Sequence, residues 1–162
     1  MSKNASFALV AAAAILLGGC GNSGPALPAA QAPIEKGVFI SASDCAASGK
    51  LSSEVCGQVI DAAVEAHEKN APTYKFLSLC ATAVGPDRCD KGLNGQYRAR
   101  LQAFLIVMGQ PPTAVALYPA GNGVVGFVSA TKEKINAQDE TLIVSSDALT
   151  LANENAKLAA RQ

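Results

Sequence analysis

The sequence contains no tryptophan, one histidine and few charged residues, and each shortage excludes a class of protein. Charged side chains make up 16% of the 162 residues, and thirteen Lys and Arg balance thirteen Asp and Glu. A nucleic-acid-binding domain needs a basic surface to neutralise phosphates, so we expect no nucleic acid partner. Aromatic residues amount to 5%, so the core must consist mainly of small aliphatic side chains, and large aromatic binding platforms are scarce.

Motifs of common enzyme and metal-binding classes are also incomplete. The one histidine, His67, begins the segment His67-Glu68-Lys69-Asn70-Ala71, which has alanine where the second zinc ligand of a metalloprotease would stand. No GxSxG nucleophile motif occurs. The pair Gly49-Lys50 lacks the first glycine and the hydroxyl residue of a phosphate-binding loop. We therefore predict no cofactor and no metal, and we interpret His67 as a packed histidine in the core or at its rim.

Near the amino terminus, one positive charge, Lys3, precedes eleven consecutive apolar residues, Phe7 to Leu17. Such a run has the length of the apolar region of a secretory signal peptide, whereas a membrane-spanning helix needs about 20 apolar residues. The run ends in Leu17-Gly18-Gly19-Cys20. This tetrapeptide resembles the lipobox of bacterial lipoproteins.

The lipobox resemblance implies cleavage after Gly19 and attachment of lipid to Cys20. Two or more acyl chains hold a protein firmly on a bilayer. Glycine rather than aspartate follows Cys20, which in a two-membrane bacterium favours the outer membrane, facing the periplasm. One alternative, an uncleaved anchor, is disfavoured by the short apolar run, and the other, secretory cleavage after Ala32, is disfavoured by Pro33 at the cut.

The chain divides into three predicted segments. Residues 1–19 form a signal peptide, residues 20–33 hold the lipidated cysteine and a flexible tether, and residues 34–162 form a single extracytoplasmic domain. Residues 21–33 contain three prolines, two glycines and no charge, which is typical of a spacer. Fully extended, at about 3.3 Å per residue, they span roughly 43 Å.

Periodicity in the domain predicts an α+β fold. Helices are expected from Ser52 or Ser53 to about Asn70, over residues 74–84 and over residues 147–160, the last with a weak apolar stripe of Leu151 and Leu158. The predicted strands cover residues 37–41, 97–108, 115–118, 124–128 and 141–144. For residues 97–108 a helix is the alternative. We thus expect a disulfide-stapled helical hairpin, followed by a small, mostly antiparallel sheet and a C-terminal helix.

Four cysteines lie in the predicted domain: Cys45, Cys56, Cys80 and Cys89. An even number in an exported domain predicts two disulfides. Zinc binding and thiol redox chemistry are disfavoured because the sequence has no CxxC motif and a single histidine. Three pairings are open, and local bridges, Cys45 with Cys56 and Cys80 with Cys89, are slightly favoured.

The cysteines also belong to a longer pattern over residues 38–90. The pattern consists of Asp44-Cys45, Gly49-Lys50, Cys56, Ala71-Pro72-Thr73-Tyr74, Cys80, Gly85 and Cys89. It is similar to the cysteine framework of the YgiB-like lipoproteins, a family built around a domain of unknown function. The resemblance implies an envelope lipoprotein with disulfides and supplies no catalytic residues, and beyond Asp90 it fades.

Arg98 and Arg100 fall on one face of the predicted strand, beside Tyr97. Paired guanidiniums can bind a phosphate, a carboxylate or a lipid head group, although a solvent-exposed strand face also explains them. We expect a non-catalytic structural or binding module, attached to the membrane by its lipid, whose partner is an envelope protein or an anionic envelope component. The alternative is an envelope hydrolase acting on cell-wall material, which would require two carboxylates facing each other across a cleft.

Overall fold

The computed structural model describes residues 33–92, 94–121 and 124–161. The predicted signal peptide, Cys20 and the tether up to Ala32 lie outside these residues. In chain order the elements are β1 (Lys36–Phe39), α1 (Ala42–Ala47), α2 (Ser53–Asn70), α3 (Leu77–Val84), β2 (Cys89–Lys91), β3 (Tyr97–Ala99), β4 (Ala103–Val107), β5 (Thr113–Pro119), β6 (Gly126–Ser129), β7 (Lys134–Asn136), β8 (Ile143–Val144) and α4 (Ser146–Ala159).

The larger sheet has six strands in the order β7-β6-β5-β4-β1-β8. Its neighbours pair antiparallel, except that β1 and β8 are parallel. The central strand β4 is apolar along its whole length because helices cover both faces of the sheet. Its Phe104 and Ile106 pack with residues of α1 and α2, whereas Leu105 packs with residues of α4.

Helix α2 forms where capping and periodicity agree. The side chain of Ser52 accepts a hydrogen bond from the amide of Val55, 3.3 Å away, and satisfies one donor of the first turn. The buried residues of the helix, Cys56, Ile60, Ala63 and His67, recur every three or four positions and face the sheet. The predicted helix is therefore confirmed.

Helix α4 covers the opposite face of the sheet through alanines. Ala148 and Ala152 are fully buried in the same cluster as Leu105. Of the predicted stripe, Leu151 packs against this cluster and Leu158 is 55% exposed. Small side chains let a helix backbone approach a sheet closely, so this helix docks without a stripe of large residues. Its N-cap is Ser145, whose side chain accepts a hydrogen bond from the amide of Ala148.

Two sequence expectations are wrong in the region between α2 and β4. The predicted strand 97–108 is two strands, β3 and β4, which belong to different sheets because β3 pairs with β2 in a separate hairpin. The predicted helix 74–84 begins only at Leu77, because the backbones of Tyr74 and Tyr97 bond to each other at 2.7 and 2.8 Å.

The disulfides join neighbouring elements. Cys45–Cys56 links α1 to α2, and Cys80–Cys89 links α3 to β2. The stapled helical pair is α1 with α2, whereas α3 packs against β2 and β3. The α+β class, the mostly antiparallel sheet, the C-terminal helix and the local disulfide pairing are confirmed. Within the described ranges, no helix combines the length and apolar character that crossing a bilayer requires.

Candidate functional site

A groove with a volume of about 220 Å³ lies between α2 and β5. Its walls are largely alanine, with Ala63 and Ala66 on α2 and Ala114 and Ala116 on β5. The polar side chains in its lining are His67, Asn70 and Tyr118. A mainly apolar concavity with a few convergent polar groups is the usual form of a small-molecule site.

His67 and Tyr118 form the central polar pair of this groove. The Nδ1 atom of His67 lies 2.8 Å from the hydroxyl oxygen of Tyr118, and the two ring centroids are 5.6 Å apart. Burial lowers the pKa of His67, an effect that nearby Glu68 partly offsets. Burial also raises the pKa of Tyr118. At neutral pH the pair therefore consists of an uncharged imidazole and a protonated phenol joined by one hydrogen bond.

The fold explains how these two residues meet. His67 continues the buried stripe of α2, one turn after Ala63, and its side chain is 7% exposed, which confirms its interpretation as a packed histidine. Tyr118 was not singled out in the sequence, although Ala114, Ala116 and Tyr118 alternate along β5 and so share one face of the strand. That alternation is the signal that could have indicated it.

A second cavity, of about 130 Å³, is lined by His67 and Arg98. Arg98 is 4% exposed, and its Nη1 atom lies 2.6 Å from Oε2 of Glu68 and 3.0 Å from the Glu68 carbonyl oxygen. Its Nε atom has no hydrogen-bond partner in the described residues. Gly92 packs against this guanidinium so closely that an added Cβ would lie 2.6 Å from Nη2. Arg98 is thus a buried cation held chiefly by Glu68.

Arg100 has a different environment from Arg98. Its Nε atom lies 2.9 Å from Oδ1 of Asp90, and its side chain is 42% exposed. Arg100 lines a third cavity, of about 250 Å³, together with Arg88 and Gln102. The structure therefore places the two candidate anion-binding arginines beside different cavities, each with a carboxylate partner.

The four cysteines of the predicted domain are all bonded in disulfides. Cys45, Cys56 and Cys80 are fully buried, and Cys89 is 8% exposed. The Cys45–Cys56 bridge lies in the cluster formed by α1, α2 and one face of the sheet. The described residues contain no group of three or more side chains of the kind that ligate metals.

Comparison with protein families matches residues 34–142 to a family model. The matching model describes a protein of unknown function, DUF1190, and it covers about two thirds of the chain. The chain belongs to the DUF1190 family. Comparison with curated proteins and with solved structures gives no match.

The DUF1190 match includes every candidate residue of the folded domain. Both disulfides, the His67–Tyr118 pair and the two arginines lie inside it, whereas α4 lies outside it. The groove between α2 and β5 is therefore built entirely from DUF1190 residues.

Proposed function

We propose that this DUF1190 protein is a lipoprotein of the cell envelope, exported and anchored through acyl chains on Cys20, whose folded domain is a non-catalytic binding module. The observation that carries the proposal is the pairing of all four cysteines in the described residues as disulfides. Structural disulfides form and persist in oxidising compartments and are rare in the cytosol. They favour export, which the apolar run and the lipobox-like Leu17-Gly18-Gly19-Cys20 also favour.

Attachment to the outer membrane rests on the residues around Cys20. Glycine, not aspartate, follows the cysteine, and the charge-free spacer of residues 21–33 lies between it and the folded domain. The similarity of the cysteine pattern to that of the YgiB-like lipoproteins supports an envelope lipoprotein with disulfides. We propose that the domain works close to the periplasmic surface of that membrane.

The contacts of the polar groups favour binding over hydrolysis. Glu68 and Asp90 line the same small cavity, but each is bonded to an arginine. A glycoside hydrolase instead needs two carboxyls of which one holds a proton for the leaving group. For the anionic envelope component we propose Arg100 as the contact, because Arg100 is accessible and Arg98 is buried.

Metabolic labelling with an alkyne analogue of palmitate tests the proposal. The unaltered chain and a control carrying Ser23→Ala should both incorporate the label and fractionate with outer membranes. A chain carrying Cys20→Ser should lose the label. Equal labelling of the Cys20→Ser chain, or recovery of the unaltered chain from the cytosol with free thiols, would contradict the proposal.

A further inference from the structure

We propose that the groove between α2 and β5 binds a small, uncharged, mainly apolar molecule that carries one hydrogen-bonding oxygen, as a phenol or an aliphatic alcohol does. This ligand class deepens the proposal of a binding module and rests on it, but it does not depend on the lipid anchor. Three features of the groove support it: its alanine walls, its rigid borders and its polar pair.

Alanines on facing elements create the space. Ala63 and Ala66 of α2 lie across the groove from Ala114 and Ala116 of β5, where a larger side chain at any one position would fill part of the 220 Å³. The groove is open to solvent at Ala66, whereas Ala63 and Ala116 in its lining are buried. Its lining suits an apolar ligand.

The borders of the groove are held in place on both sides. Earlier in α2, the Cys45–Cys56 disulfide and Ile60 fix the helix to the sheet in one buried cluster. Later in α2, the His67–Tyr118 hydrogen bond joins the helix to β5. A preformed site loses little conformational entropy when a ligand enters, which favours binding.

The polar pair selects an uncharged ligand. A phenol hydroxyl has one donor and two acceptor positions, so the bond to His67 leaves Tyr118 able to bond one further group. Burial keeps His67 and Tyr118 uncharged at neutral pH, and the nearby charges of Glu68 and Arg98 are paired with each other. A charged ligand would lose its hydration without gaining a counter-charge, whereas a neutral oxygen would gain a hydrogen bond.

NMR of the full chain in phosphatidylcholine nanodiscs tests the site directly. Because His67 is the one histidine in the chain, labelling with ¹³C-histidine gives a single imidazole reporter at the groove. The probes share one ring and differ in their polar group: p-cresol, toluene, 4-methylbenzoate and 4-methylbenzylammonium. We expect p-cresol to shift the His67 signal saturably and to bind more tightly than the other three probes.

Three variants separate binding in the groove from partition into the lipid. Ala66→Leu places a larger side chain in the lining of the groove, whereas Ala62→Leu makes the same change at another exposed position of α2, one that does not line the groove. Ala66→Leu should abolish the saturable shift and Ala62→Leu should preserve it. Tyr118→Phe should weaken the binding of p-cresol about fivefold, which is the effect of one neutral hydrogen bond, and leave the binding of toluene unchanged.

The inference is overturned if p-cresol gives no saturable shift, if Ala66→Leu binds it as the unaltered chain does, or if either charged probe binds more tightly. Each of these results concerns the groove alone. Failure of the lipoprotein proposal would instead appear as the absence of acyl label on Cys20.

Discussion

Removing the Cys45–Cys56 disulfide by a double change to alanine should destabilise the domain more than the same change at Cys80 and Cys89. The bridges span 11 and 9 residues of sequence. A disulfide that closes a loop of this length restricts the unfolded chain and thereby stabilises the folded state by about 3 kcal/mol. Cys45 and Cys56 also belong to the buried core cluster around Phe39, to which Cys80 and Cys89 do not belong, so their loss leaves a cavity in that cluster that costs about 1 kcal/mol more.

Thermal unfolding followed by far-UV circular dichroism measures both losses. For a domain of this size, 3 kcal/mol corresponds to a decrease in Tm of roughly 10 °C. The Cys80→Ala/Cys89→Ala variant should therefore melt about 10 °C below the unaltered chain, and the Cys45→Ala/Cys56→Ala variant lower still. Adding reductant should shift the melting of each variant toward that of the fully reduced chain.

Two results would refute this reasoning. One is an unaltered chain whose melting is the same with and without reductant, which would mean that the bridges restrict nothing. The other is a larger loss on removing Cys80–Cys89, which would mean that α3 and β2 contribute more to stability than the cluster around Cys45.

Three further predictions concern the polar residues. In the folded protein the pKa of His67 lies below its ordinary value of 6.5, and that of Tyr118 lies above 10.0. The free energy of unfolding should therefore be level between pH 6.5 and pH 10.0. It should fall as the pH decreases below 6.5 and as the pH increases above 10.0. Urea unfolding of a His67→Gln variant checks this prediction. If the free energy of unfolding of the variant fell on the acid side as much as that of the unaltered chain, the prediction would be contradicted. Glu68→Gln should lower the free energy of unfolding by about 2 kcal/mol in the same assay, because it leaves the buried Arg98 charge unpaired. A decrease below about 0.5 kcal/mol would show that another group compensates the charge of Arg98. Arg100→Ala should weaken binding to phosphatidylglycerol vesicles without changing Tm, and unchanged binding would leave Arg100 as an ordinary surface residue.

The sequence was sufficient for elements whose signals are local. Helix α2 has a capping serine and a buried stripe at helical spacing, and both were readable before the structure. Strands β5 and β6 were readable from the apolar runs at residues 115–118 and 124–128. Helix α1 and strands β2 and β7 were missed because six or three residues are too few to establish a period.

Errors arose where tertiary contacts override a continuous pattern. The alternation from Tyr97 to Leu105 looks like one strand, but burial of Arg98 against Glu68 holds its first part in the smaller sheet. The docking of α4 was missed because alanine carries little hydrophobic signal, although Ala148 and Ala152 are its most buried residues.

The candidate site was only half predictable. His67 and the arginines were visible as residue types, but Tyr118 lies 51 residues after His67 and meets it only because α2 crosses β5. Similarly, nothing in the order Arg98-Arg100 indicates that their guanidiniums enter different cavities. Such pairings depend on sheet order and helix placement, which residue spacing alone does not determine.

The intact mass of the protein extracted from cell membranes, measured after alkylation of free thiols, tests the proposed envelope lipoprotein most directly. We predict a chain that begins at Cys20, carries the mass of its acyl groups and has no alkylated cysteine, because all four remaining cysteines are in disulfides. A chain that retains residues 1–19 with an unmodified Cys20, or one with alkylated cysteines in the folded domain, would contradict it.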